Sequence, residues 1–174
     1  MSETKTKKYE DIEDPGIRAF LIEGEALYPA NAVNFTMTEQ RAFYDGYCAH
    51  FRKPRPKSIE TKDVAFASVP CRHYWRRGSS GAPVMIYLHG GGFVVGGLDS
   101  HDDVCAEIAD AAAIDVIAVD YRLAPEAKAP HPFEDAWAAT RWVADHLEEL
   151  GLPADARVAV GGDSAGGNLA ALVA

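Results

Sequence analysis

Two short stretches hold residues whose types and spacing could do chemistry. Gly162-Asp163-Ser164-Ala165-Gly166 sets a serine between glycines two positions away on each side. This G-x-S-x-G pattern suits a sharp strand-to-helix turn, where larger side chains at the flanking positions would clash and the serine is thrust into the open. A serine nucleophile attacking an acyl carbon also needs donors for the oxyanion of the tetrahedral intermediate. Backbone N–H groups serve best where no side chain keeps the substrate away, and His89-Gly90-Gly91-Gly92 meets that need through Gly91 and Gly92. With the N–H of Ala165 they would form a three-donor oxyanion hole. By chance, G-x-S-x-G arises about 0.06 times in a chain of this length and H-G-G-G about 0.001 times, so the two in this order are specific. A phosphate-cradling reading of the glycine run fails, because neither G-x-x-x-x-G-K-S/T nor G-x-G-x-x-G is present.

An activated serine also needs an imidazole within hydrogen-bond reach and a carboxylate to orient it. Asp163 touches Ser164 in sequence, yet a side chain next to the nucleophile in such a turn points away from any imidazole above the serine. We read it as a supporting carboxylate, with Gly162, Gly166 and Gly90 as supporting backbone. His101 and His131 both precede the serine and lie near strand-end loops, and neither is expected to be the base. Arg122 and Glu126 are expected to be ion-pair scaffolding.

The elements that must position these residues can be read from residue 83 onward. Short aliphatic runs at 84–88, 115–119 and 157–160 alternate with helical patterns, which predicts a parallel sheet covered on both faces. A helix over 102–113 is expected to start at Ser100 and to bury Val104, Cys105, Ile108 and Ala112. A second is expected from Phe133 through Leu150, with Gly151 as its stop. Turns leaving parallel strands emerge on one edge. That edge gathers His89 to Phe93, Tyr121 to Glu126 and Gly162 to Gly166, and the helix after Ser164 aims its positive end there. Upstream, residues 15–28 and 37–51 read as helices, the second opened by Thr36 and Glu39 at capping-box spacing. Val64 to Val69 and Cys71 to Arg77 read as antiparallel partners about Pro70.

Composition excludes several classes. The 174 residues carry a net charge of −9, and residues after 88 hold 4 Lys/Arg against 15 Asp/Glu, which argues against nucleic acid. The basic run at 52–57 is broken by two prolines and reads as a solvated linker. No apolar run approaches the length that spans a bilayer and no leader pattern opens the chain, so a cytoplasmic location is expected. Cys48, Cys71 and Cys105 are odd in number and widely spaced, predicting reduced thiols and neither a disulfide framework nor a metal site.

His89-Gly90-Gly91-Gly92-Phe93, Tyr121-Arg122-Leu123-Ala124-Pro125-Glu126 and Gly162-Asp163-Ser164-Ala165-Gly166-Gly167-Asn168 together resemble the hormone-sensitive-lipase-like branch of the α/β-hydrolases. The resemblance covers about residue 60 to the end. It implies an α/β-hydrolase fold with a mostly parallel sheet, an N-terminal helical cap segment and linker over 1–57, and the first part of the hydrolase core over 58–174. It further implies an esterase acting on small carboxylic esters with short to medium acyl chains through an acyl-enzyme on Ser164, without metal or organic cofactor. His89 would support the oxyanion loop rather than act as base. In this fold the acid and histidine follow the serine, but none of the ten residues after Ser164 is Asp, Glu or His. The chain is therefore expected to be an inactive N-terminal portion of a longer enzyme. The alternative is a non-catalytic, receptor-like binding protein or pseudoenzyme of the same fold. An open sheet edge would favour association, and a homo-oligomer of the longer form stays open.

Overall fold

The computed structural model describes residues 9–78 and 83–174, so residues 1–8 of the polar N-terminal stretch lie outside the described residues. The chain divides into two compact units, Met1–Phe43 and Tyr44–Ala174.

In the first unit, α1 (Pro15–Leu27) starts where Asp14 Oδ1 accepts from the N–H of Gly16 (2.7 Å) and Ile17 (2.9 Å), with proline at the first helical position. After a 3₁₀ turn (Ala32–Asn34), α2 (Met37–Phe51) opens with the expected capping box. Thr36 N–H donates to Glu39 Oε2 at 2.8 Å, and Glu39 N–H donates back to Thr36 Oγ1 at 3.3 Å. Tyr28 and Phe35 meet Phe43 edge-on, with ring centroids 4.6 and 6.3 Å away.

The second unit is built on a five-stranded sheet in the order β1-β2-β4-β3-β5. Strands β3 (Val84–Leu88), β4 (Asp115–Val119) and β5 (Val158–Gly162) are parallel, while β1 (Ile59–Phe66) and β2 (Val69–Arg76) form a hairpin whose second strand runs antiparallel to β4. Alternation along the strands sorts the core into two layers. Val84, Ile86, Leu88, Ile117 and Val119 face α4 (His131–Asp145) and α5 (Ala165–Val173), whereas Tyr87, Val116, Ala118 and Tyr74 face α3 (Asp102–Ala112). Each fully buried aliphatic side chain contributes about 1.5–3 kcal/mol. Among the described residues no helix is long and apolar enough to cross a membrane.

Four local expectations change. The hairpin turns at Ala67 and Ser68, both at positive φ, and Pro70 lies inside β2 opposite Ala65. Proline is tolerated there because the sequence needs its carbonyl, which accepts from Asp120 N–H at 2.9 Å, and not a donor. Helix α3 begins after His101 without a side-chain cap, since the Ser100 hydroxyl is taken by Gly97 and His101. It buries Cys105, Ala106 and Ala109 and leaves Val104 exposed, because small alanines let it lie close against the sheet. Helix α4 stops at Asp145, where His146 Nδ1 donates to the Trp142 carbonyl at 2.7 Å, and a 3₁₀ turn (Leu147–Leu150) carries the apolar pattern onward to Gly151.

The basic run is largely exposed, as expected of a linker, but it is tethered. Arg52 donates to the Asp99 carbonyl (2.5 Å), Lys53 N–H to Asp103 (3.1 Å), and Arg55 pairs with the buried Asp102 at 2.6 Å. Acidic residues at the start of α3 thus strap down residues 52–55. Asp102 also accepts from Arg72 and Tyr74, each at 3.0 Å.

Candidate active site

Strands β3, β4 and β5 end at Leu88, Val119 and Gly162, and the three motifs leave from those ends. Ser164 sits between β5 and α5 at φ 50° and ψ −117°, a left-handed strain that the surrounding packing must hold. Close backbone approach explains its glycines. A Cβ on Gly166 would lie 1.8 Å from the Leu88 carbonyl oxygen, and one on Gly162 would lie 2.1 Å from the same atom. The turn is pressed onto the end of β3, and Ser164 is left exposed.

The glycine loop lies beside it. Gly91 takes φ 124°, and a Cβ there would meet the Val95 carbonyl oxygen at 2.0 Å. Its own carbonyl accepts from Val94 and Val95 N–H, both at 3.0 Å, which curls residues 91–95 into a tight turn. Among the described residues, the N–H groups of Gly91, Gly92 and Ala165 donate to no protein acceptor. The structure therefore brings together three free donors and an exposed serine hydroxyl at one sheet edge.

Asp163 turns away from Ser164 and down onto the loop. Its Oδ1 accepts from Gly90 N–H (2.9 Å) and from Tyr87 Oη (2.9 Å), with His101 Nε2 at 3.3 Å. Burial, with the Asp163 carboxylate adding, pushes the Tyr87 phenol up from its ordinary value. His89 is buried, stacks on Tyr121 with centroids 4.3 Å apart, and has Nδ1 2.7 Å from the Gly90 carbonyl. Burial lowers its pKa to about 4, so the ring is neutral at physiological pH. Tyr121 Oη donates to the His89 carbonyl at 2.5 Å, and Phe93 O accepts from Ala124 N–H at 2.8 Å, tying the loop to the segment after β4.

The remaining candidates sit elsewhere. Arg122 forms a two-pronged pair with the buried Asp135 of α4, both contacts at 2.7 Å, while Asp135 Oδ2 also accepts from Arg122 N–H at 2.9 Å. His131 Nδ1 faces Glu134 at 3.0 Å. Among the described residues neither His101 nor His131 is hydrogen-bonded to Ser164, and no three His, Cys, Asp or Glu side chains converge as a metal site. Burial pushes the Cys71 thiol up to about 12, which keeps it protonated.

Sequence reasoning missed Tyr87, Ser100 and Asp135. Tyr87 reads as one more apolar strand residue, and only the parity of β3, which turns it toward α3 and Asp163, gives it a role. Asp135 carried a usable signal, an acid at an inward position of an amphipathic helix.

Beside the glycine loop, an apolar cavity of about 350 Å³ is lined by Gly92, Phe93, Ala127, Phe133, Leu169 and Leu172. A larger cleft, about 580 Å³, lies near the start of β4 with the paired His73 and Asp115 among its lining residues, so size alone does not mark the site.

A family model described as alpha/beta hydrolase fold matches residues 85–174. The chain is 46% identical over 130 residues to Esterase LipI of Mycobacterium tuberculosis, covering 71% of this chain and 40% of that protein. It is 37% identical over 176 residues to the Carboxylic ester hydrolase LipN of the same organism, covering 90% and 46%. Among solved structures, the carboxylesterase EstE1, cloned from a metagenomic library, superposes with a TM-score of 0.73 at 42% identity, covering 81% of this chain and 49% of that one. An esterase from the bacterial hormone-sensitive lipase family gives 0.74 at 31% identity, covering 99% and 52%. The chain thus spans half or less of the length of these curated relatives. It belongs to the α/β-hydrolase fold family, in its hormone-sensitive-lipase-like branch.

Proposed function

We propose that Ser164 is the nucleophile of a carboxylic ester hydrolase and that Gly91, Gly92 and Ala165 N–H form its oxyanion hole. The observation that supports this reading is that three N–H groups without a protein acceptor and an exposed serine at positive φ stand at the ends of neighbouring parallel strands. Ser164 Oγ attacks the ester carbonyl carbon, the carbonyl oxygen gains negative charge among the three N–H groups, and collapse expels the alcohol to leave an acyl-enzyme. Water then releases the acid. The apolar cavity beside Gly92 receives one of the ester's two substituents, of short to medium length. Residues 1–57 are read as the cap segment and linker that the family resemblance implies.

Residues 165–174 contain no histidine or acid, so in this reading the base and its orienting carboxylate come from later chain. The relatives' greater length supports that assignment. Residues 1–174 alone then turn over esters slowly, at the level that an oxyanion hole and binding supply.

Hydrolysis of p-nitrophenyl butyrate by the protein at its relatives' length tests the proposal. We expect turnover that Ser164→Ala lowers by at least about 1000-fold. Saturable binding of esters without turnover would instead favour a receptor-like protein.

A further inference from the structure

A series of polar contacts runs beside the glycine loop and meets both of its ends. Ser100 Oγ accepts from Gly97 N–H at 2.9 Å, lies 3.0 Å from the Gly97 carbonyl oxygen and 2.8 Å from His101 Nδ1. His101 Nε2 lies 3.3 Å from Asp163 Oδ1, which accepts from Gly90 N–H at 2.9 Å. The loop that carries Gly91 and Gly92 is thus held at Gly97 by one end of the series and at Gly90 by the other. Ser100 and His101 are both buried.

The Ser100 hydroxyl accepts from Gly97 N–H and donates to the Gly97 carbonyl oxygen. The His101 ring lies between it and Asp163, with Nδ1 2.8 Å from Ser100 Oγ and Nε2 3.3 Å from Asp163 Oδ1. The three residues form a Ser-His-Asp array in which Ser100 and His101 are buried and Ser100 Oγ is engaged by the Gly97 backbone, so the series has the chemistry of a brace and not of a nucleophile.

We propose that His101 is a positioning residue for the oxyanion hole. Through Ser100 and Asp163 it fixes the two ends of residues 90–97, and with them the directions of the Gly91 and Gly92 N–H groups. Preorganised donors stabilise the transition state more than the bound ester, and misdirecting them costs rate more than ground-state affinity. This inference rests on the assignment of Ser164 and its oxyanion hole.

The test replaces His101 with Phe, which fills the space without a polar atom, and with Gln, which keeps one donor and one acceptor. In the protein at its relatives' length, His101→Phe is expected to lower kcat for p-nitrophenyl butyrate about 10- to 100-fold with KM within about twofold. Affinity for a trifluoromethyl ketone, which forms a tetrahedral adduct on the serine, should fall by a similar factor, and His101→Gln should recover part of both. Backbone amide exchange at Gly90 and Gly97, whose N–H groups are bonded at the two ends of the series, should quicken in His101→Phe whether or not the protein hydrolyses esters, so loss of the esterase reading and loss of the brace show separately. If His101→Phe fails to fold, Ser100→Ala carries the same prediction at about threefold to tenfold. A rise in KM at unchanged kcat, an unchanged ketone affinity, or unchanged exchange at Gly90 and Gly97 would overturn the proposal.

Discussion

Asp163 Oδ1 and the Gly90 amide nitrogen stand 2.9 Å apart, so the residue that precedes the exposed serine holds the first glycine of the loop facing it. A Cβ on Gly90 would come within 2.1 Å of the other carboxylate oxygen, so both partners are fixed in type. This contact ties the turn to the loop. Replacing Asp163 with Ala leaves Gly90 N–H and Tyr87 Oη without their acceptor, at about 1–3 kcal/mol for each group left unpaired. A urea midpoint lowered accordingly, with faster amide exchange at Gly90, is the expected outcome. Asp163→Asn, which keeps one acceptor oxygen, should recover part of it.

Gly166 is the tightest position in the turn. Gly166→Ala places a methyl 1.8 Å from the Leu88 carbonyl oxygen, and backbone cannot yield there as a flexible side chain would. We expect a loss of more than about 3 kcal/mol, or insoluble protein, read by urea unfolding and soluble yield. Gly151→Ala, also at positive φ but with open space around it, should cost only about 1 kcal/mol.

Burial of neutral His89 makes stability depend on pH. Its folded pKa of about 4 lies below the ordinary 6.5, so between those values the unfolded chain binds the extra proton and stability falls as pH falls. From pH 7 to 5 this contributes a loss of about 2 kcal/mol. Denaturant midpoints of the protein and of His89→Gln, compared at pH 7 and 5, should show the smaller decline in the variant.

Asp102 anchors both the strap at residues 52–55 and strand β2. Asp102→Ala leaves Arg72 its pairs with Asp63 and Asp99 but takes the acceptor from the buried Tyr74 hydroxyl and the partner from Arg55. A buried hydroxyl left unpaired costs about 1–3 kcal/mol. Thermal unfolding should show that loss, and trypsin should cut first after Arg52 in the variant.

The parallel strands were legible because β3 and β4 are short aliphatic runs bounded by turn residues, and periodicity placed α1 and α2 within a residue. Ser164 and the glycine loop were legible because their chemistry is local in sequence. Residues whose roles depend on long-range meetings were not. Tyr87 and Asp163 are 76 positions apart and meet only because β3 and β5 are neighbours. The partners of the basic run were not legible because they come 47 to 50 positions later and are brought to it by the packing of α3 on the sheet. Ser100 had the pattern of a helix cap, yet the loop before it offered closer partners.

The central claim is that Ser164 is an activated nucleophile facing an oxyanion hole, and covalent labelling tests it most directly. A fluorophosphonate probe, incubated with the protein at its relatives' length and followed by peptide mass spectrometry, should give one adduct, on Ser164, that disappears in Ser164→Ala. No adduct, or an adduct that persists in Ser164→Ala, would contradict the account.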